Sequence, residues 1–376
     1  ATAHTELCVV NTDGDMLSQF AFPVTDSGIT VSLVNLSSNP AIWLAHRSFD
    51  DNLYRSEFIS LPLNRLPGSG TEADPYLLST PGDMGLIKYN LASHYRLAAD
   101  IDYNGASFAP VSGLFSGSLD GASHTIRNFT LADKPMFSNI NGREGANVNI
   151  HDLTLSGVTA GATNAILAGN TSNTTLSRVH VYDADITSES DDEFGTIVAQ
   201  ANTNTVITEC SAVKVNIDRP NSTEVGGIAA YLGNSASVAA SYFQGSINAD
   251  YEVGGIAGTT RTPTSTVTDC HVKATLTAKN RIGGIMAVSS RGLVSRCIVE
   301  GEITGTEPQN VWSDKANGTK PMMSVGGVIG HLAAATVSYE NGQPVEPSTD
   351  PVVKGCVVIL DAINIPQDDP SLAETT

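Results

Sequence analysis

The amino-acid sequence predicts an all-β protein dominated by a right-handed, single-stranded parallel β-helix, a solenoid whose coils stack on one another. Two recurring phrases, one rich in glycine and one apolar, alternate along the chain at the spacing of solenoid coils. Composition agrees, because 34 of the 376 residues are glycine and 6% are aromatic, which favours many thin apolar layers over one large aromatic core.

The first phrase is two glycines between apolar residues. Its copies begin 28, 29 and 43 residues apart, about one coil each with one insertion. We expect the glycines to form a tight corner at which a Cβ atom would clash with a neighbouring coil. The glycine pairs are Gly226 and Gly227, Gly254 and Gly255, Gly283 and Gly284, and Gly326 and Gly327.

The second phrase has the form apolar-x-x-small-x-apolar, typical of short strands between turns. Its small position carries Cys210, Cys270, Cys297 and Cys356. Other coils place serine, valine or leucine there, which favours a ladder of small buried side chains over a metal or disulfide cluster. A strained disulfide between Cys270 and Cys297 stays open at this point, because stacked coils bring such residues close together.

Residues 1–66 lack the repeat and are predicted to form a small antiparallel β-sandwich, followed by the β-helix over residues 67–376. The predicted strands of the first region are Glu6–Asn11, Leu17–Val24, Ile29–Leu36, Ala41–His46 and Glu57–Leu63. Ser79 or Thr80 as N-cap, with Pro81 behind it, predicts a helix near residues 80–93. Such a helix would cover the open end of the first coil.

The formal net charge is −19, with 39 acidic against 20 basic residues. A surface of this sign repels phosphate backbones, so we expect no nucleic-acid partner. No apolar stretch is long enough to span a bilayer, and no motif calls for a cofactor.

The best acidic candidates are Glu193, Glu224 and Glu252, which precede the glycine-type phrase in successive coils, with Arg281 one coil later. They form either a cation or ligand site or a solvated acidic edge. His180 and His271 share another position and are interpreted as surface residues rather than a metal pair. No constellation of catalytic residues stands out.

Two insertions, Thr304–Ser324 and Leu332–Pro351, lengthen the last repeat. Loops on a rigid scaffold often carry binding residues. Trp312 and Tyr339 would supply stacking surfaces there, or would pack against the solenoid wall.

Three ordered motifs open the repeat region: Gly70-Thr71-Glu72-x-Asp74-Pro75-Tyr76, then Tyr95-Arg96-Leu97-x-x-Asp100-Ile101-Asp102, then Phe115-x-Gly117-x-Leu119-Asp120-Gly121. With the later Val-Gly-Gly-Ile phrases, they resemble the GLUG-motif bacterial surface proteins over roughly residues 68–362. The resemblance implies a right-handed parallel β-helix on an exported protein, often proposed to act in adhesion. The segment Leu7–Leu17 resembles one hairpin of fimbrillin-like proteins.

Two hypotheses for function follow. The first is a non-enzymatic adhesin or binding module, at the cell surface or secreted, which contacts a glycan or a protein and associates with fimbrial subunits. The alternative is a carbohydrate-active enzyme, a polysaccharide lyase or hydrolase, that uses the acidic edge near Glu193, Glu224 and Glu252.

Overall fold

The computed structural model describes backbone and side chains for residues 66–142, 147–260, 262–290, 292–307, 324–332 and 352–365. For eight further strands it describes the backbone alone. Two compact units are present, Ala1–Pro67 and Gly68–Thr376.

The first unit contains an antiparallel sheet of four strands within its described residues, in the order β2-β1-β3-β4. The strands are β1 (His4–Val10), β2 (Met16–Pro23), β3 (Ala41–Arg47) and β4 (Ser60–Leu61). Three predicted strands match β1, β2 and β3, and β4 lies within the predicted strand Glu57–Leu63, whose other residues are outside the described ones. The predicted strand Ile29–Leu36 lies outside the described residues.

The second unit begins with short strands and two helical turns. In chain order these are β5 (Tyr76–Leu78), α1 (Pro81–Met84), a 3₁₀ helix (Ile87–Tyr89), β6 (His94–Leu97), β7 (Ile101–Asp102), β8 (Val111–Phe115), β9 (Ser118–Asp120), β10 (Thr125–Arg127), β11 (Thr130–Leu131), β12 (Phe137–Asn141) and β13 (Val148–Ala160).

The middle coils follow with longer strands. They comprise β14 (Ala168–Ser172), β15 (Thr174–Thr187), β16 (Phe194–Gly195), β17 (Val198–Ala201), β18 (Val206–Thr208), β19 (Ser211–Gly226), β20 (Ala229–Leu232), β21 (Ser237–Ala239), β22 (Tyr242–Gly254), β23 (Ala257–Thr260), β24 (Thr266–Thr268), β25 (His271–Ala278), β26 (Asn280–Gly283), β27 (Met286–Ser289), β28 (Leu293–Ser295) and β29 (Ile298–Gly305).

The last coil includes two small antiparallel hairpins, β30 with β31 and β34 with β35. Its strands are β30 (Gln309–Asn310), β31 (Pro321–Met322), β32 (Val325–Gly326), β33 (Ile329–Leu332), β34 (Ser338–Glu340), β35 (Gln343–Val345), β36 (Val352–Lys354) and β37 (Val357–Asn364).

All strand pairs between coils are parallel, so the predicted all-β parallel β-helix is confirmed. Over the described residues, one face is an eight-stranded sheet in the order β33-β27-β23-β20-β17-β14-β12-β8, and a 21-stranded sheet forms the other walls. Equivalent residues of successive coils, here called a column, lie in register: Ile207 pairs with Val238, Val238 with Val267, and Val267 with Val294. All four side chains are buried.

The core is built from these columns because strand side chains alternate between inside and outside. Along β19, for example, Ala212, Val215 and Ile217 are buried, whereas Lys214 and Asn216 face solvent. Repeating this alternation in every coil produces the stacked apolar layers that the composition predicts.

The glycine pairs form one corner of the four coils that contain them, here called the glycine corner. Gly226 pairs with Gly254, and Gly254 with Gly283. A Cβ atom on Gly227 would lie 2.1 Å from the carbonyl oxygen of Gly255 in the next coil. The expected clash is therefore present, and its cause is the close approach of neighbouring backbones.

The predicted helix near residues 80–93 is much shorter in the structure. Thr80 caps α1 in a capping box with Asp83, and Pro81 occupies the first turn, as expected. The helix ends at Met84 because Gly82 and Gly85 lower the helix propensity of this short segment, and the chain continues into the 3₁₀ helix. Met84 and Ile87 are completely buried, and the 3₁₀ helix contacts β8, the first strand of the eight-stranded sheet.

The final coil is more exposed to solvent than the coils before it. Val353 continues the column of Val294, and Val358 continues that of Val299. Val294 is 0% exposed, whereas Val353 is 42% exposed.

Candidate functional site

A polar groove lies on the outer face of the first coils, where β6, β9 and β13 run side by side. Tyr95, Leu119 and Ile150 are stacked in register and buried in the core. Because side chains alternate along a strand, the residues before and after each of them face outward. This alternation places two polar columns next to each other on the surface.

The first column consists of His94, Ser118 and Asn149, and the second of Arg96, Asp120 and His151. Both line a cavity of about 510 Å³. Strand pairing sets the second column directly, since Arg96 pairs with Asp120 and Asp120 with His151. The rest of the wall is contributed by Glu72, Ala73, Pro75, Tyr95, Ser116, Gly117 and Asn147.

Asp120 is held by neighbours on both sides. Its Oδ2 lies 3.3 Å from Nε of Arg96, and its Oδ1 accepts a hydrogen bond from the backbone N–H of Ala122 at 2.7 Å. The Nδ1 atom of His151 lies 3.6 Å from the same Oδ1. The carboxylate is therefore surrounded by donors from two other coils and its own turn.

Next to the groove, a second corner of each coil carries charged residues in the left-handed conformation. Asp152, Arg178 and Glu209 have φ of +54°, +53° and +54°. The same conformation continues through later coils at Ala240, Asp269 and Arg296. This row of residues is here called the charged corner.

Ion pairs connect the coils along the charged corner. Arg178 donates to both carboxylate oxygens of Asp152, at 2.5 and 3.0 Å, and lies 3.4 Å from Glu209. The guanidinium of Arg178, and next the hydrogen bond from His151, hold the pKa of Asp152 well below its usual range. Arg296 makes a similar pair with Asp269, with both distances at 2.6 Å.

Three residues in and beside the groove form a cluster of possible metal ligands. Ligand atoms of Asp120, His151 and Asp152 lie within 4.8 Å of one another, a geometry that a metal ion accepts. However, the guanidinium groups of Arg96 and Arg178 already neutralise these carboxylates, so a cation would compete with built-in positive charge.

The three glutamates that the sequence singled out lie along the glycine corner. Glu224 and Glu252 precede Val225 and Val253, which pair, and both adopt the left-handed conformation at φ +56° and +54°. Glu252 is only 8% exposed and forms an ion pair with Arg281 at 2.5 Å. Glu193 accepts a hydrogen bond from Gln200 at 2.6 Å. The arginine therefore lies beside Glu252 in the acidic column.

The other candidate residues fall in separate places. His180 contacts Ser211 at 2.8 Å, and His271 contacts Glu300 at 2.9 Å, both on the outer face of the long sheet. Cys210, Cys270 and Cys297 are buried free thiols, and Cys356 is a half-buried one. Trp312 lies outside the described residues, as does the side chain of Tyr339, whose backbone belongs to β34.

Sequence reasoning missed Arg96, His151, Asp152 and Arg178 as parts of a site. The signal for the charged corner was present: the residue just before the small position of the apolar phrase is charged in several coils, with opposite signs at Asp152 and Arg178 and at Asp269 and Arg296. The groove residues follow from the alternation around Tyr95, Leu119 and Ile150.

The fold and groove define a parallel β-solenoid that presents a polar, donor-rich groove on its outer wall. No family model matches the chain. None of the helices in the described ranges is long and apolar enough to cross a membrane.

Comparison with known proteins gives two kinds of likeness. Over 176 residues the chain is 29% identical to halomucin from Haloquadratum walsbyi. The matched region covers 40% of this chain and 2% of halomucin. It therefore spans a very small fraction of that relative.

A crystal structure of a candidate immunoglobulin A1 protease from Bacteroides ovatus superposes with a TM-score of 0.50 at 16% identity, covering 78% of this chain and 86% of that one. A second structure, of an IgA1 protease, gives a TM-score of 0.46 at 16% identity and covers 93% and 28% of the two chains. The superposition on the Bacteroides ovatus structure shows a shared fold, and a shared fold does not by itself imply a shared activity.

Proposed function

We propose that the protein is a non-enzymatic binding module, an adhesin that contacts a glycan or a protein through the outer face of its solenoid. The observation that carries the proposal is the groove over β6, β9 and β13. Its donor side chains face an open cavity, whereas the carboxylates of Asp120 and Asp152 are already paired with Arg96 and Arg178. Such an arrangement recognises a ligand without an obvious means to transform it.

Asp152 is poorly suited to act as a general acid. A general acid must hold its proton near neutral pH, which requires a raised pKa. The pKa of Asp152 is lowered by Arg178, so this group is a carboxylate at neutral pH. It serves instead to orient His151 through a 2.8 Å contact with Nδ1.

A location at the cell surface or in the extracellular medium, and an association with fimbrial subunits, belong to this proposal. So does membership of the GLUG-motif surface proteins. The surface location and the GLUG membership rest on the opening motifs and glycine phrases of the sequence, and the fimbrial association rests on the hairpin-like segment Leu7–Leu17. A rigid solenoid with an exposed polar wall is a suitable scaffold for such a role, because binding residues stay in fixed positions.

The alternative of a carbohydrate-active enzyme stays a prediction. It would require Glu193, Glu224 and Glu252 to act on a sugar. Of these, Glu252 is nearly buried and fixed by Arg281, which leaves it little access to a polymer.

A binding screen with the full chain tests the proposal. The labelled protein is applied to a glycan array and to immobilised extracellular proteins, and the same preparation is assayed for release of reducing ends or unsaturated products from polysaccharides. We expect saturable binding without turnover. Turnover that disappears in a Glu193→Gln, Glu224→Gln, Glu252→Gln variant would establish the enzyme instead, and absence of binding to any surface would contradict the adhesin.

A further inference from the structure

The groove collects hydrogen-bond donors whose capacity is only partly used. The side chain of Arg96 is 53% exposed, and its contact with Asp120 is an ion pair through Nε at 3.3 Å. Its guanidinium makes no hydrogen bond to any residue that the structure describes. His94 uses Nδ1 toward the hydroxyl of Ser118 at 2.8 Å. His151 uses Nδ1 toward Asp152. Each of the three side chains therefore keeps at least one nitrogen for a ligand.

Strand geometry sets the size of this group of donors. His94 and Arg96 are two residues apart on one strand, which separates them by about 7 Å. Their strand and that of His151 are two positions apart in the sheet, or about 10 Å. The donors therefore frame an area about as large as one sugar ring with its substituents, inside a cavity of about 510 Å³.

The remaining lining adds groups that suit hydroxyls. Asn147 and Asn149 offer amides, Ser116 offers a hydroxyl, and Glu72 offers an acceptor at the rim. An exposed guanidinium prefers a carboxylate, with which it forms two parallel charge-assisted hydrogen bonds. A ligand with one carboxylate surrounded by hydroxyls would therefore bind both the guanidinium of Arg96 and these polar side chains.

Charge limits the ligand further. With a net charge of −19, the protein as a whole repels long polyanions. The guanidinium of Arg96, which already faces Asp120, attracts a further anion over only about 8 to 10 Å at physiological salt. A single acidic residue can enter this region, whereas a polymer with a charge on every residue would extend into the repelling surface.

We infer that the groove binds one acidic monosaccharide residue of a glycan, with the sugar carboxylate on Arg96 and the hydroxyls on the asparagine side of the groove. This inference rests on the proposed function, since it names the ligand class of that same groove.

Ligand-observed NMR titration with the full chain tests it. The probes are a disaccharide ending in glucuronic acid, the matching disaccharide ending in glucose, and acetate. We expect saturable binding of the acidic disaccharide, at least tenfold weaker binding of the neutral one, and no effective competition by acetate. The Arg96→Gln variant should lose at least tenfold in affinity, and Arg96→Lys should recover only part of it.

Arg127→Gln is the matched control. Arg127 is also an exposed arginine on a neighbouring strand, where it pairs with Asp102 at 2.9 Å, but it does not line the groove. The Arg127→Gln variant should bind the acidic disaccharide as tightly as the unchanged protein does. Circular dichroism should show that all variants are folded.

Equal affinity for the neutral and acidic disaccharides, full affinity in Arg96→Gln, or equal competition by acetate would overturn the inference. If the array shows binding only to neutral glycans or proteins, the binding module stands and this ligand class is wrong. If the array shows no binding at all, the proposed function itself fails.

Discussion

The glycine corner and the charged corner both turn the chain between strands, but they do so by different means. At the glycine corner the chain turns because no side chain is present, and the backbone of the next coil occupies the space that a Cβ would need. At the charged corner the chain turns through one left-handed residue, whose side chain extends outward and pairs with the coil above or below. We therefore expect the first corner to reject substitutions and the second to accept them.

The largest effect is expected for Gly255→Ala at the glycine corner. The new Cβ would lie 2.3 Å from the carbonyl oxygen of Gly284 and 2.6 Å from Cγ1 of Val272. Since backbone from the neighbouring coil cannot move aside cheaply, the free energy of unfolding should fall by about 3 kcal/mol or more. Denaturant unfolding followed by circular dichroism measures this change.

Gly82→Ala in α1 is the control for Gly255→Ala. Its Cβ would meet nothing closer than the Thr80 hydroxyl at 3.6 Å, and alanine favours a helix, so stability should stay the same or rise slightly. Similar losses in both variants would show that the glycine corner has no special steric demand.

A smaller and pH-dependent effect is expected for Asp152→Asn at the charged corner. The pKa of Asp152 is lowered in the folded protein, first by the hydrogen bond from Arg178. The ion pair therefore stabilises the fold fully above the unfolded pKa of about 3.9, and this contribution is lost as pH falls through the lower folded pKa.

At pH 7 the loss in Asp152→Asn should be below about 1 kcal/mol, because exposed ion pairs contribute little. Unfolding free energies measured from pH 7 down to pH 2 should fall less steeply in the variant than in the unchanged protein. Asp133→Asn, which removes an exposed carboxylate with no ion pair among the described residues, should leave the slope as it is. An identical slope in all three proteins would contradict the role of the pair.

The smallest effect, with the opposite sign, is expected for Ala240→Gly. Among the six residues that define the charged corner Ala240 is uncharged, and its φ of +47° strains an alanine. Glycine relieves this strain but loses more entropy on folding, so a net gain of about 0.5 kcal/mol is expected. The neighbouring Ala239→Gly, within β21, should instead destabilise by about 0.5 to 1 kcal/mol. Thermal unfolding of both variants would reveal whether their signs differ.

Most of the fold could be predicted from the sequence, because residues that contact each other in successive coils of a solenoid recur at a regular spacing. Ile207, Val238 and Val267 recur at one coil's spacing, and the same residues pair in the structure. The length of the helix was harder to predict, since the cap at Thr80 and the apolar spacing favour a longer helix while Gly82 and Gly85 shorten it. The apolar spacing of Met84 and Ile87 reflects burial over that coil rather than a long helix.

The groove was less visible because it belongs to the coils where the repeat is weakest. Arg96, Asp120 and His151 come from three segments of different length, and outward positions carry no pattern imposed by packing. The acidic column was easier to find, since its regular spacing and the position of Arg281 one coil later can be read from the sequence. Which glutamate pairs with Arg281, and the contact of Glu193 with Gln200, appear only when side chains are placed.

The in-register pairing of the coils also makes the length of the molecule independent of its cross-section. Ser237 and Thr266 occupy equivalent points one coil apart, so joining the chain at these two points removes a single layer and leaves the layers on either side matched. Each layer adds about 4.8 Å along the axis. Gain or loss of whole coils therefore changes the distance between the first and last coils. The side chains on the surface of every remaining coil stay the same.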